Sequence, residues 1–413
     1  MKLRPSIIKY NLIKLNHIVF EVTDECNLEC KYCGYGPLYY GYDSRSRKKL
    51  EVKTAKVLLK YLAKIWEENI DDSLIDRLTI GFYGGEPLLN MTFIEEIVTF
   101  CKQSDVTGKK FYFNMTTNAM LLDRYMDFMV SNKFNLLISL DGNEQNQAFR
   151  VDKAGNNSFK RVYNNVIKLR YKYPDYFKKY VNFNAVLHKK NSFHDVFNFF
   201  MDNFEKIPNI APLNTSGIRP EKIQEFKESY LNIVEQSFLD APDCEAIEQK
   251  MFKSPRIIEL VSYFHKLSGN VFDDYNTLMF NKYETKKIPT ATCLPFFRKL
   301  FLSVNGKILP CERIKQEFSL GQVQEDIVEI DYQRIADIHN EYIYKFEKQC
   351  KVCANKFTCK QCVYQIDDLK SDHPICKTFR KEKELQEAVK KNLEFLADHP
   401  YYYEKVMNEI KIV

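Results

Sequence analysis

Apolar and polar positions along the first half of the chain switch repeatedly between a period of two and a period near 3.6. HIVFEVT (17–23) is apolar and β-branched, which predicts a buried strand running straight into Cys26. Residues 52–69 carry apolar positions at helical spacing, and LTIGFY (78–83) predicts a strand ending at Gly84-Gly85-Glu86-Pro87. Helices are predicted at 92–101, 121–132, 158–172 and 193–204, with strands at 110–118, 134–142, 180–188 and 209–214 between them. Alternating strands and helices predict a parallel sheet, and about six βα units fit before residue 215. The expected fold is α/β, an incomplete (β/α)6 barrel with its active site at the C-terminal ends of the strands. Residues 216–292 read as a mostly helical bridge. Residues 299–314 read as a β-hairpin with a type I′ turn at Asn305-Gly306, and 377–413 as a charged helical tail. The expected domains are thus 1–215 for the barrel, 216–292 for the bridge, 293–376 for a small cysteine-rich domain opening with the hairpin, and 377–413 for the tail.

Composition narrows the class. A chain of 413 residues that is 45% hydrophobic and 28% charged buries a sizeable core. Its net charge of +6 does not demand nucleic acid or an anionic membrane as partner. No apolar run approaches the roughly 18 residues of a membrane helix, and the first residues lack the apolar centre of a signal peptide. The expected location is the cytoplasm. Disulfides are rare there, so twelve cysteines need another explanation.

Ten of the twelve are grouped. Cys26, Cys30 and Cys33 fall in one short loop, and Cys293, Cys311, Cys350, Cys353, Cys359, Cys362 and Cys376 follow much later; Cys101 and Cys244 stand alone. Such grouping points to metal binding. Three thiolates from a loop leave one iron of a four-iron cluster without a protein ligand, and an open metal position can take a substrate or cofactor. A zinc knuckle with His17 as fourth donor is the other reading.

The spacing C-x3-C-x2-C, with Tyr32 before the last cysteine, resembles that of the radical S-adenosylmethionine enzymes. In that family the methionyl group of S-adenosylmethionine chelates the open iron. One electron then cleaves the sulfonium to a 5′-deoxyadenosyl radical, which takes a hydrogen atom from the substrate. Further motifs carry the resemblance. Gly84-Gly85-Glu86 follows the second strand, Asn118 ends the third with Ala119 where the family has Gly, and Ser139-x-Asp141-Gly142 ends the fourth with Arg150 beyond it. The resemblance implies cofactor contacts from Tyr32, Gly84, Gly85, Glu86, Asn118, Ser139, Asp141 and Arg150. Val186 or Leu187 matches the position that packs on adenine.

The later cysteines resemble a SPASM domain with two auxiliary four-iron clusters, although Cys359 and Cys362 stand one residue closer than usual. By that resemblance Cys350, Cys353, Cys359 and Cys376 hold the outer cluster and Cys293, Cys311 and Cys362 the inner one. The total implied is three clusters, the inner one with an iron left open unless Cys244 folds back onto it. Such enzymes mostly modify peptides and proteins, drawing electrons from a flavodoxin or ferredoxin. The leading expectation is a maturase of a ribosomally made peptide, forming a thioether or other crosslink, with Glu312 beside Cys311 as base. An anaerobic sulfatase maturase is the alternative, although those enzymes carry Asp where this chain has Glu312. A non-catalytic iron–sulfur carrier or scaffold is the alternative of another class. With the barrel beginning near residue 17, leader recognition is expected to use the barrel, the tail or another protein. The segment 34–49 interleaves tyrosines with basic residues and is expected either to line the barrel mouth and grip a peptide or to be a surface loop.

Overall fold

The apolar run at 17–23 forms strand β1 (His17–Thr23), which lies inside a ten-stranded sheet in the computed structural model of the chain. The structure describes residues 2–69, 77–103, 109–251, 254–266, 279, 290–356 and 358–409. Strands β2 (Arg77–Gly84), β3 (Lys110–Thr117), β4 (Asn135–Ser139), β5 (Val181–Val186) and β6 (Asn209–Ala211) follow β1 on one side, each parallel to the last. Helix α1 (Pro5–Ile13) precedes β1. Helices α2 (Val52–Glu67), α3 (Met91–Gln103), α4 (Leu122–Ser131), α5 (Phe159–Lys172), α6 (Pro174–Tyr180) and α7 (Phe193–Phe204) supply the crossovers.

Side-chain alternation decides what each strand offers. On β5, Val181, Phe183 and Ala185 are buried, and Phe183 packs on Phe200 and Phe204 of α7. The opposite face carries Asn182, Asn184 and Val186, which keep accessible surface.

The hairpin at 299–314 does not begin a separate sheet. Its first strand, β7 (Leu300–Leu302), pairs in parallel with the other edge of β1, Ile18 facing Leu300 and Phe20 facing Leu302. Strands β8 (Lys307–Leu309), β9 (Gly321–Gln324) and β10 (Ile327–Glu329) extend the sheet antiparallel. The turn is not type I′. Gly306, at φ +77°, takes the left-handed conformation and Asn305 does not. Gly306 N–H donates to Ser303 O and Ser303 N–H to Lys307 O, both at 2.9 Å. That is a three-residue loop with a glycine bulge. A side chain at Gly306 would lie 2.4 Å from Val323 O, so β9 also requires glycine there.

The chain divides into two compact units. The larger comprises Arg4–Ser237 and Cys293–Ala336, and the smaller Met1–Leu3, Phe238–Thr292 and Asp337–Val413. The bridge contains α8 (Ile223–Ser229), α9 (Val234–Leu239), α10 (Cys244–Lys250) and α11 (Pro255–Lys266); its remainder at 252–253, 267–278 and 280–289 lies outside the described residues. The tail is two helices, Glu382–Asp398 and Tyr401–Glu409, separated at Pro400. Tyr402 and Val406 are buried against Ile257, Leu260, Tyr263 and Phe264 of α11, so the tail is part of a core rather than a solvated appendage. No described helix is long and apolar enough to cross a membrane.

Candidate active site

Residues 26–33 leave β1 and run beside the segment that follows β4. Glu29 N–H donates to Val151 O at 2.7 Å and Lys31 N–H to Phe149 O at 2.9 Å. Leu28 N–H and the Asn118 side-chain amide reach Cys26 Sγ at 3.4 and 3.6 Å, and the same amide reaches Asn27 Oδ1 at 2.7 Å. Asn118, as expected from its motif, therefore lies on the cysteine loop.

The three thiols lie within electrostatic reach of one another. Burial pushes Cys26 up to about 11, with the Glu86 charge adding to it, and Cys30 up to about 12 against the pull of Arg150. A cationic metal centre reverses that balance and holds thiolates. Among the described residues no three Cys, His, Asp or Glu side chains are drawn tightly enough to hold one metal ion. A tetrahedral zinc, with sulfurs about 2.3 Å away, needs such closeness. His17, the fourth donor of the zinc-knuckle reading, is the first residue of β1 and so stands at the opposite end of that strand from the cysteine loop.

The glycine motif serves the cysteine loop directly. Gly85 N–H donates to Thr23 O and Glu86 N–H to Glu25 O, both at 2.8 Å. A side chain at Gly84 would lie 2.3 Å from Thr23 O, and one at Gly85 2.0 Å from Glu25 O. The close approach is thus to the chain itself. Glu86 is fully buried, and its carboxylate is committed to Thr117 Oγ1 (2.6 Å), Asn118 N–H (2.7 Å) and Leu88 N–H (3.2 Å). Burial pushes its carboxyl up to about 7 against those bonds. Its side chain fastens β2 to the end of β3, and its carbonyl accepts from Leu89 N–H at 3.1 Å, so side chain and backbone are both engaged within the chain.

Ala119 follows at φ +58°, the left-handed conformation that the family's glycine tolerates. Ala119→Gly is therefore expected to stabilise the protein. It relieves about 1–2 kcal/mol of strain, and the freer unfolded chain takes back about 0.4–1 kcal/mol. A raised denaturation midpoint checks this; a lowered one refutes it.

Arg150 is neither a surface residue nor a free fork. It is buried, with Nη2 and Nε each 3.0 Å from the two oxygens of the fully buried Asp141. Asp141 also accepts hydrogen bonds from the Tyr32 hydroxyl and from Val186 N–H at 2.9 Å. The residues expected around the cofactor are brought together, but Asp141, Arg150 and Tyr32 first bind one another. His188, which sequence reasoning missed, closes this group. It is fully buried, lies 5.7 Å centre to centre from the Tyr32 ring, and its Nε2 is 3.0 Å from Asn146 O. Ser139 stands on the accessible face of β4.

Leu187 does not face this site. It is fully buried one residue beyond Val186, and alternation turns it to the helix side. Val186 is the partly exposed residue that packs with Cys30 and Tyr32.

A second cysteine lies nearby in the same unit. Tyr42 feels both Cys33 and Cys311, and burial together with these neighbours pushes its phenol up to about 12. Tyr35 and Tyr83 stand beside it, ring centres 4.9 Å (Tyr35–Tyr42) and 6.4 Å (Tyr35–Tyr83) apart, all three partly exposed. Arg45 caps Tyr35 at 4.1 Å and lies 3.5 Å from the buried Glu21. Glu312 is paired with Lys299 Nζ at 2.8 Å, and this pair holds its carboxyl below the usual range although burial opposes it. The segment 34–49 is not a free surface loop. Tyr40 N–H donates to Gly217 O beyond β6, and Gln316 N–H beyond the hairpin donates to Gly41 O, both at 2.9 Å. It spans the two edges of the open barrel.

In the smaller unit Cys350 lies within electrostatic reach of Cys353, Cys359 and Cys376. Gln349 ties the helix Glu347–Val352 to the segment at 374–376: its amide donates to Pro374 O at 2.7 Å and its oxygen accepts from Cys376 N–H at 3.2 Å. The inner set is divided, with Cys293 and Cys311 in the larger unit and Cys362 in the smaller. Cys101 is buried, and none of the twelve cysteines is in a disulfide.

Residues 20–201 match the Radical SAM superfamily. An uncharacterized protein of Methanocaldococcus jannaschii is 32% identical over 142 residues, 34% of this chain and 44% of that protein, so the match spans less than half of it. The cysteine-type anaerobic sulfatase-maturating enzyme of Clostridium novyi is 22% identical over 329 residues, 75% of this chain and 77% of the enzyme. Among solved structures, anSMEcpe with bound AdoMet superposes with a TM-score of 0.61 at 18% identity, over 97% of this chain and 96% of that one. The same protein with AdoMet and the Cp18Cys peptide gives 0.59 at 18% identity, over 96% and 99%. The fold is shared.

Proposed function

Because the chain is a radical S-adenosylmethionine enzyme, related to the anaerobic sulfatase-maturating enzymes, we propose that it oxidises a peptide or protein side chain. Bound at Cys26, Cys30 and Cys33, a four-iron cluster together with S-adenosylmethionine supplies a 5′-deoxyadenosyl radical. The chain's own residues do the rest. Asn118 and Leu28 N–H orient Cys26, while the Tyr32–Asp141–Arg150 group fixes the loop wall and presents Val186. The observation that carries the reading is the group of partly exposed tyrosines, Tyr35, Tyr42 and Tyr83, that stands near both Cys33 and Cys311. A side chain placed there meets the radical source on one side and the Glu312 carboxylate on the other. A carbon-bound hydrogen leaves as an atom, a thiol proton passes to Glu312, and one electron departs to an acceptor. The net change is loss of a pair of hydrogens, as in a thioether or other crosslink.

Formylglycine formation is the second reading, favoured by the extent of the match to the Clostridium novyi enzyme. Cys293, Cys311, Cys350, Cys353, Cys359, Cys362 and Cys376 are proposed to hold two auxiliary clusters. Anaerobic incubation with S-adenosylmethionine, a reductant and a set of Cys- and Ser-containing peptides tests the reading. The expected result is 5′-deoxyadenosine with a peptide that has lost a pair of hydrogens. A peptide aldehyde supports the second reading, and 5′-deoxyadenosine without any modified peptide refutes both. Glu312→Gln is expected to lower product formation about 10²–10⁴-fold, the usual contribution of a general base, while uncoupled 5′-deoxyadenosine persists.

A further inference from the structure

The modest charge of the whole chain hides a steep local one. Residues 153–190 contain ten Lys or Arg against one acid, Asp175, an excess of nine in a chain whose whole excess is six. The rest of the chain is therefore net acidic. Nearby acids relieve part of this charge: Lys153 pairs with Glu25 at 3.5 Å, Arg170 with Glu205 at 3.0 Å and Lys172 with Asp127 at 2.8 Å. Lys160, Lys168, Lys178, Lys179 and Lys189 are exposed and form no ion pair among the described residues.

Their placement is ordered. On α5, Val162, Val166 and Leu169 are buried, while the exposed Lys160, Asn164, Lys168 and Tyr171 come at i, i+4, i+8 and i+11 and form one outward row. Tyr171 is 91% exposed. Lys178 and Lys179 stand in the last turn of α6, directly after α5. The row starts at the barrel mouth. Arg161 Nε donates to Met120 O at 2.8 Å, two residues past Asn118, and Leu28 of the cysteine loop pairs with Asp152 in the segment that leads into α5. Lys189 lies beyond the C-terminal end of β5, whose Val186 packs with Cys30 and Tyr32. Unpaired cations thus run from the rim of the cysteine loop down one flank of the barrel.

We propose that this flank holds an acidic segment of the peptide or protein that is oxidised at the barrel mouth. The inference rests on the reading that the substrate is a peptide or protein. With 14 residues, α5 is about 20 Å long, which matches about six residues of extended chain. A row of lysines suits such a segment, because each is a flexible point charge that attracts a carboxylate without imposing the paired geometry of a guanidinium. Like charges in a row repel one another, and carboxylates laid across them relieve that repulsion. A surface for single-stranded nucleic acid interleaves several aromatic side chains with its cations, whereas this row offers Tyr171 alone. Binding through exposed charges weakens with salt, because the screening length falls from about 8 Å at physiological salt to about 3 Å at 1 M.

The probes are fluorescein-labelled dodecapeptides, one alternating Glu and Ser and one with Gln in place of Glu, titrated with the reconstituted enzyme in the absence of S-adenosylmethionine. The expected result is that the Glu peptide binds about tenfold more tightly than the Gln peptide and loses this advantage as salt rises. The variant K160E/K168E/K178E/K179E should remove the preference. The neutral K160Q/K168Q/K178Q/K179Q should reduce it, which keeps the test sound should the reversed charges impair folding. The control K383E/K391E, two exposed lysines of the tail helix Glu382–Asp398, should bind as the parent does. In turnover, joining a run of Glu to a Cys-containing peptide should lower KM about tenfold at unchanged kcat, and the lysine variants should abolish that gain. The proposal falls if neither lysine variant changes binding, if the tail variant weakens it as much, or if an oligothymidylate or a phosphatidylserine vesicle takes the flank in preference to the Glu peptide. Oxidised peptides indifferent to the Glu extension overturn it as well and leave the reading of function standing. Glu-peptide binding with no peptide oxidised overturns the reading of function instead.

Discussion

Replacing Cys26, Cys30 and Cys33 together by Ala abolishes 5′-deoxyadenosine formation and lowers bound iron by one cluster. The thiols carry the chemistry but not the fold of their loop. The loop is held by backbone bonds from Glu29 and Lys31 to Val151 and Phe149, and none of these involves a cysteine side chain. Shortening three partly buried thiol side chains to methyl groups also leaves no charge uncompensated. The variant should therefore keep the circular dichroism spectrum of the parent and the iron of the later cysteines. Anaerobic reconstitution with iron and sulfide, followed by chromatography of the S-adenosylmethionine reaction, checks both parts. Persistent cleavage, or a full iron count, would show that the radical chemistry lies elsewhere.

Arg150→Ala produces the largest loss of stability among single changes at this site. Asp141 is fully buried and Arg150 nearly so, with two contacts of 3.0 Å between them. Removing the cation strands a buried carboxylate, which typically costs about 3–5 kcal/mol. Hydrogen bonds from Tyr32 and Val186 N–H to Asp141 survive and limit the loss to the lower part of that range. Because Asp141 joins Tyr32 to β5, weaker S-adenosylmethionine binding should accompany it. Asp141→Asn in the same background removes the stranded charge and should recover much of the stability. Denaturation midpoints of the two single variants and the double variant measure this coupling. An Arg150→Ala protein as stable as the parent would mean that the pair contributes nothing.

The sheet and the cysteine loop were legible because each depends on short-range pattern. Apolar runs such as HIVFEVT and the Gly84-Gly85 step behave as their chemistry dictates. What escaped reading depends on distant partners. Leu187 and Val186 are both apolar, and only the register of β5 decides which one meets Tyr32. Arg150 suits a cofactor carboxylate as well as it suits Asp141, and sequence alone does not rank the two. His188 lies among apolar residues with no motif of its own, although a histidine at the end of a strand carrying active-site residues is a fair signal. Glu21, a charge inside an apolar strand, was the clearest overlooked mark of a buried polar centre. The short β9 and β10 lack enough alternating positions to announce themselves, and they form because Gly306 lets β9 approach the hairpin.

Strand β1 has one neighbour made early and one made late. It pairs with β2 almost at once, but its other edge waits for β7, whose Leu300 lies opposite Ile18. At a ribosomal rate of about 5–20 residues per second, that edge stays unpaired for roughly fifteen seconds to a minute of synthesis. It is apolar and β-branched, the kind of open edge that recruits other strands. A nascent chain stalled before residue 300 should accordingly be a client of holding chaperones, and one released past Ala336 should not. The same arrangement makes the larger unit indivisible: a truncation that keeps every barrel strand but ends at residue 292 exposes the strand that launches the catalytic loop.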